Sequence, residues 1–265
     1  MNKKADVSVI IPYFNNSFTI YRAIISVYNQ TLLPKEIIVI DDFSNKREKI
    51  YLHKILKLFD NKKIKIILIR NKQNFGPGTS RNFGWNKASS KYIAFLDSDD
   101  SWHVKKIEIQ YNFMKKNNIT FSAHKSTYRY QDTFNNYRNK FSYKIIKPFW
   151  MFLFNQFTTP TVMLKKSIKL RFQDKKYYTE DYLLWLKIIL RKKIYFIDLT
   201  LTYLHKASIG ISGLSKNIDL MRKGEIETYT QLFKEKFINF EVHNFLIFFS
   251  FLKNIRRKLF FYVYK

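Results

Sequence analysis

Apolar residues fall along the first hundred positions in short blocks that alternate between two periods. Val7–Ile11 is a largely β-branched block closed by Pro12 and the Asn15-Asn16-Ser17 cluster, which predicts a buried strand followed by a loop. From Phe18 to Gln30 the apolar positions shift to helical spacing, at Ile20, Ala23, Ile24, Val27 and Tyr28. The same alternation repeats. Glu36–Ile40 predicts a strand ending at Asp41-Asp42, Ile50–Phe59 a helix, Ile64–Ile69 a strand, Thr79–Ala88 a helix and Lys91–Leu96 a strand. A further helix is expected from about Trp102, with Asp99 or Ser101 as its N-cap. Strands that alternate with helices predict βαβ units and a mostly parallel central sheet. Ligands of such sheets sit at the carboxyl ends of the strands.

Those ends carry unusual chemistry: Pro12-Tyr13-Phe14-Asn15, then Asp41-Asp42, then Asp97-Ser98-Asp99-Asp100. Strand alternation would send Asp97 and Asp99 to one side, where they could hold a hard divalent ion such as Mg²⁺ or Mn²⁺. An acidic turn capping the next helix is the competing reading. The loop Asn74–Asn82 adds glycines for tight turns and Arg81 for bidentate phosphate contacts. Neither GxGxxG nor GxxxxGK[ST] occurs, so a dinucleotide fold or P-loop is not indicated. An aromatic ring to stack on a base, acids to hydrogen-bond it, an arginine and a metal site describe a sugar-nucleotide pocket.

Composition sharpens this picture. The 265 residues include 48 Lys and Arg against 20 Asp and Glu, a formal charge of +28. Acid clusters therefore stand out, and an anionic partner is expected: nucleic acid, anionic lipid or a phosphorylated substrate. Lys and Asn richness is equally what an AT-rich genome produces. With no cysteine, disulfides, thiolate catalysis and cysteine zinc sites are excluded. The apolar run after Met1-Asn2-Lys3-Lys4 is too short for a signal peptide, which predicts a cytoplasmic protein.

Taken together, Val7–Asn15, Ile40-Asp41-Asp42-Phe43-Ser44, Asn74-Phe75-Gly76 with Arg81-Asn82, and Phe95–Asp100 resemble the ordered signatures of a family 2 glycosyltransferase with the GT-A fold, over roughly residues 5–210. The resemblance implies a divalent metal cofactor and a UDP-sugar donor. It places Pro12, Phe14 and Asp42 around the uracil with Asp41 close by, and brings Arg81 toward the nucleotide. It puts Asp97 and Asp99 in the metal and nucleotide motif, with Asp99 as the direct ligand. Phe43 departs from the pattern, which commonly has glycine after the paired acids.

The second half is expected to supply the acceptor side. Glu180-Asp181 precede the apolar run Leu183–Leu190 and resemble the family's Glu-Asp signature, which implies Asp181 as general base and Glu180 as a supporting acid. Capping of a helix by Thr179 and these acids is the competing reading. By the same resemblance, in Tyr203-Leu204-His205-Lys206 the histidine would contact metal or phosphate and Lys206 the leaving diphosphate. Gly210 and Gly213 would let this loop close over the donor. Aromatic and basic residues interleave from Ser122 to Phe157, including Tyr128, Tyr130, Phe149, Trp150 and Phe154, and are expected to form the acceptor site with Thr158–Thr161.

The tail is different in character. Asn217–Phe237 predicts a helix, and Phe245–Leu252 is far shorter than the roughly 20 residues that span a bilayer. Lys253, Arg256, Arg257 and Lys258 then precede Leu259–Tyr264. This suits an amphipathic segment on an anionic membrane surface, or a terminal helix packed on the catalytic domain or on a homodimer partner.

The sequence thus predicts an α/β, GT-A (Rossmann-like) domain over 1–215, with a nucleotide half to about 100 and an acceptor half beyond, and a C-terminal helical, amphipathic extension over 216–265. The expected activity is inverting transfer from a UDP-sugar to a lipid-linked saccharide in bacterial lipopolysaccharide, O-antigen or capsule synthesis, on the cytoplasmic face of the inner membrane. A nucleotidyltransferase and a nucleic-acid-binding protein are the alternatives. The first gives no reason for Glu180-Asp181, and the second leaves the acidic crevice unexplained.

Overall fold

A computed structural model describes residues 4–59, 63–128, 141–205 and 217–263, with backbone alone beyond Ile255. The first half alternates as the apolar blocks predict: β1 (Ala5–Tyr13), α1 (Ser17–Tyr28), β2 (Pro34–Asp41), α2 (Lys46–Lys57), β3 (Lys65–Arg70), α3 (Pro77–Lys87) and β4 (Tyr92–Phe95). Helix α2 starts four residues before the predicted Ile50. Its start is set by polar chemistry, because the Asn45 side chain accepts from the Glu48 N–H at 3.0 Å.

After β4 come β5 (Ser101–Trp102), α4 (Lys106–Lys116), β6 (Phe121–Thr127), β7 (Tyr143–Ile145) and α5 (Pro148–Leu153). Then follow a 3-10 turn at Thr159–Thr161, β8 (Met163–Lys165), α6 (Glu180–Ile189), β9 (Tyr195–Tyr203), α7 (Ile218–Lys234) and α8 (Phe240–Val263). The helix expected from Trp102 is corrected here. Ser101 and Trp102 pair antiparallel with Tyr203 and Thr202 of β9, so neither Asp99 nor Ser101 caps a helix, and α4 begins only at Lys106.

The sheet runs β3-β2-β1-β4-β8-β6-β9-β5, with β7 added against β9. It is parallel from β3 to β4 and mixed beyond, since β8 runs antiparallel to both β4 and β6 while β6 and β9 run parallel. Each central strand is apolar on both faces because each face carries a core. Val7, Val9 and Ile11 pack with α1, α2 and α4, while Ile10, Ile38, Ile40 and Phe95 pack with Trp85 of α3 and Trp185 of α6. Burial on both sides is why these strands read as unbroken blocks.

The tail folds back onto the second half of the chain, α7 against α6, and α8 against α7 and α5. No helix among the described residues is long and apolar enough to cross a membrane.

Candidate active site

A cleft of about 710 Å³ opens at the carboxyl ends of β1, β2 and β4. Pro12, Phe14, Asp42, Arg81, Asp97, Asp99, Glu180 and Asp181 all line it. The loops that shape it are tied to each other. Asn15, at φ 47°, donates its N–H to Ser44 Oγ at 3.0 Å, and Asn45 returns a bond to Asn15 Oδ1 at 2.9 Å. Phe43 adopts φ 67°, the left-handed conformation that glycine takes most easily. Its ring, half exposed, is covered by the Lys49 ammonium at 5.1 Å.

The two acids after β2 divide their tasks. Asp42 accepts from the N–H of Phe75 at 3.0 Å, from the N–H of Gly76 at 2.8 Å and from Asn71 Nδ2 at 2.7 Å, fastening the 74–76 loop at the cleft wall. Asp41 is fully buried and does not line the cleft; its Oδ1 accepts the Ser44 N–H at 2.9 Å. The expectation of Asp41 beside the base is thus corrected to a turn-forming role behind it. Gly76, at φ 84°, sits where a Cβ would lie 3.0 Å from the Tyr177 ring.

Arg81 does not reach openly for a nucleotide. Its guanidinium, almost fully buried, donates through Nη2 to Asp97 at 2.7 Å and through Nη1 to Glu180 at 3.0 Å. Burial works against its charge, but the carboxylates of Asp97 and Glu180 outweigh that and hold the proton well beyond the ordinary range. Gly78 makes the clamp feasible, because a Cβ there would meet Glu180 Cγ at 2.9 Å. Two acids from opposite halves of the chain are thereby joined through one side chain.

The alternation argument for Asp97 and Asp99 also changes. The strand stops at Phe95, and residues 97–100 form a turn closed by the Asp100 N–H to Asp97 C=O bond at 3.1 Å. Asp97 turns to Arg81, while α1 holds the turn through Thr19 Oγ1 to Ser98 O and Arg22 Nη2 to Asp99 O. The β5–β9 pairing carries His205 to this turn, where its Nε2 lies 2.7 Å from Ser101 Oγ and its N–H donates to Asp100. Burial and the charge of Arg22 lower its pKa, and Asp99 opposes them, so the ring is largely neutral at pH 7.

A divalent ion was expected at Asp97, Asp99 and His205. Asp97 is engaged by Arg81, and no cluster of three or more ligating side chains occurs among the described residues. Asp99 and the neutral His205 lie within electrostatic range of each other and suit an ion that takes its remaining ligands from diphosphate oxygens and water. Lys206 and the glycines at 210 and 213 lie outside the described residues.

Asp181 faces the same cleft from the first turn of α6, with Oδ2 accepting from Thr159 Oγ1 at 3.0 Å and Oδ1 from the Tyr182 N–H at 2.7 Å. Burial pushes Glu180 up to about 7, with Asp181 adding to it and Arg81 opposing it. Burial raises Asp181 as well, against Arg81 and Thr159. Burial thus raises both carboxyls of this adjoining pair, opposed at each by the Arg81 guanidinium. Thr179 is no cap: at φ 57° it turns its hydroxyl to Gly224 O at 2.8 Å, tying α6 to α7. Of the aromatic stretch, Tyr128 lines the cleft; Phe149, Trp150 and Phe154 do not, and stand half exposed on and beside α5. Residues 129–140, including Tyr130, lie outside the described residues. Asn155, Tyr177 and Met221 also line the wall, and no motif marks them in the sequence.

The sequence model described as "Glycosyl transferase family 2" matches residues 8–181, the stretch that contains every acid of the cleft. The chain belongs to this family. It is 34% identical over 189 residues to the Escherichia coli UDP-Glc:alpha-D-GlcNAc-diphosphoundecaprenol beta-1,3-glucosyltransferase WfgD, covering 69% of each chain. The first curated relatives that it matches are spanned over 16% to 69% of their own length. In three dimensions it resembles Staphylococcus aureus TarS in complex with UDP-GlcNAc, at a TM-score of 0.69 and 18% identity over 92% of this chain and 70% of that one. It also resembles a Pyrobaculum calidifontis mannosyltransferase in complex with GDP-Man and Mn²⁺, at a TM-score of 0.63 and 12% identity over 88% and 65%. Both likenesses identify the fold as GT-A.

Proposed function

We propose that this glycosyltransferase moves a sugar, with inversion, from a UDP-sugar to a hydroxyl of a diphosphate-lipid-linked saccharide, in the assembly of a bacterial surface polysaccharide. The observation that carries the reading is the Arg81 clamp. It sets the acid at the end of β4 and the acids at the start of α6 on one cleft, which supports a reading in which donor and base face each other. The similarity to WfgD, a UDP-glucose-dependent enzyme acting on a diphosphoundecaprenol-linked sugar, supports the donor nucleotide and the lipid-linked acceptor.

Phe14 and Pro12 receive the base, and Asp42 shapes the loop beneath it. Asp181 takes the proton of the acceptor hydroxyl, whose oxygen attacks the anomeric carbon from the face opposite the diphosphate. The bond from that carbon to the diphosphate oxygen breaks as the new glycosidic bond forms, and UDP departs with the electron pair. Asp99 and His205 would hold a divalent cation whose contribution is to neutralise charge on the departing diphosphate.

The test is UDP release from a panel of UDP-sugars with Mn²⁺ and a lipid-linked acceptor, for the native chain and for Asp99→Ala and Asp181→Ala. Release by the native chain and its loss in both variants is expected. Absence of release with every donor overturns the assignment.

A further inference from the structure

Helix α8 carries apolar residues on both of its faces. Its inner face buries Leu246 in the core, buries Ser250 and Asn254 completely or nearly so, and sends Lys253 to Glu225, a buried glutamate of α7. Phe245, Phe248, Leu252 and Ile255 recur at i, i+3, i+7 and i+10 and are exposed, with Phe248 60% exposed. A helix that meets only water on its outer face carries polar residues there. Lys253 also donates to Leu153 O at 3.1 Å, which sets α5 beside α8. There Phe149, Trp150 and Phe154 are similarly exposed, and Asn155, one residue on, already lines the cleft. An aromatic surface thus adjoins the mouth of the active site.

We infer that this α5–α8 surface seats the enzyme in the interfacial layer of an anionic bilayer, with the cleft mouth held at the lipid surface. Charge decides between the occupants. The chain carries +28, Lys147 precedes α5, Lys234 and Lys236 precede α8, and Arg256, Arg257 and Lys258 follow within α8, against Glu241 as the acid of that helix. A second copy would bring the same positive charge to the face, whereas anionic headgroups neutralise it while the rings enter the headgroup–acyl boundary. The inference rests on the lipid-linked acceptor for its biological sense, but the binding is measurable with no acceptor present.

Trp150 supplies an internal probe, because the other three tryptophans, Trp85, Trp102 and Trp185, are buried. The experiment adds the full chain to vesicles of phosphatidylglycerol with phosphatidylcholine, or of phosphatidylcholine alone, and follows flotation and tryptophan emission. Expected are co-flotation with the anionic vesicles, a blue shift that Trp150→Phe abolishes, and at least a tenfold loss of binding in Phe245→Ser/Phe248→Ser/Leu252→Ser with an unchanged melting temperature. That triple variant should still release UDP with a water-soluble acceptor, which separates a failure of seating from a failure of the catalytic reading. Equal binding by the triple variant, no flotation with anionic vesicles, or a dimer in solution that the same substitutions dissolve would each overturn the inference.

Discussion

Arg81 and Lys253 perform similar electrostatic tasks in two parts of the molecule, and of the two only Arg81 lines the cleft. Each is a mostly buried cation joined to a buried glutamate from a distant segment, Glu180 for Arg81 and Glu225 for Lys253. Around Lys253 the charges pair off within the fold. The lysine meets Glu225, and Ser250, Tyr229 and the Leu153 carbonyl add hydrogen bonds. Around Arg81 one guanidinium faces several acids, with Asp97, Glu180 and Asp181 on the same cleft. A buried ion pair alone therefore says little about function; carboxylates beyond those needed for pairing, opening on a cavity, mark the place where a cation or a proton is to be received.

The sharpest way to break the comparison is to remove the surplus. Asp181→Asn keeps the shape of the cleft, its amide oxygen accepting the Tyr182 N–H and its NH2 donating to Thr159 Oγ1, so it should lower kcat by about 10²-fold to 10⁴-fold, the range for a lost general base, with UDP affinity unchanged by calorimetry. Full transfer by this variant would show that the excess acid is not catalytic.

Removing the cations should separate the two regions next. Arg81→Met leaves the buried Glu180 without its partner and frees the partly exposed Asp97, at a cost of about 3–5 kcal/mol to stability. It also withdraws the charge that opposes protonation of Glu180 and Asp181, so the acid limb of the kcat/KM profile should move to higher pH. Glu225→Ala takes the carboxylate from the partly buried Lys253 and should also lower the temperature of thermal unfolding, yet its pH profile should superimpose on that of the native chain.

The smallest effect concerns Glu180 itself. Its pKa is raised in the fold, so between the ordinary carboxyl range and about 7 the folded state holds a proton that the unfolded chain has released. Stability is then lost as pH rises through that window. Glu180→Gln should accordingly raise Tm by a few degrees at pH 8 and by less at pH 5, while lowering activity. A drop in Tm at pH 8 would mean that the Arg81 pairing outweighs the burial of Glu180.

Much of the active site was legible because strand ends are written locally. An apolar block followed by Asp41-Asp42 or Asp97–Asp100 says that a buried strand delivers acids to an edge, and Glu180-Asp181 before an apolar run says the same of a helix start. What each acid does there was less legible. Asp41 and Asp42 are neighbours, yet one turns inward to Ser44 and the other stands at the cleft. Alternation placed Asp97 beside Asp99, but the chain turns at that point and Arg81 draws Asp97 away. Ser101-Trp102 carries no local strand signal, because its partner β9 lies a hundred residues downstream.

By itself, then, the sequence determined the alternation of strands and helices, the family, and which acids gather at the carboxyl edge, since these depend on periodicity and on short ordered motifs. Only the tertiary structure decided which acid pairs with Arg81, that Glu180 is buried enough to titrate near 7, and that α8 turns its aromatic residues outward. Those outcomes depend on which distant groups share a dry interior, where one guanidinium or one buried glutamate reverses what the local pattern prescribes.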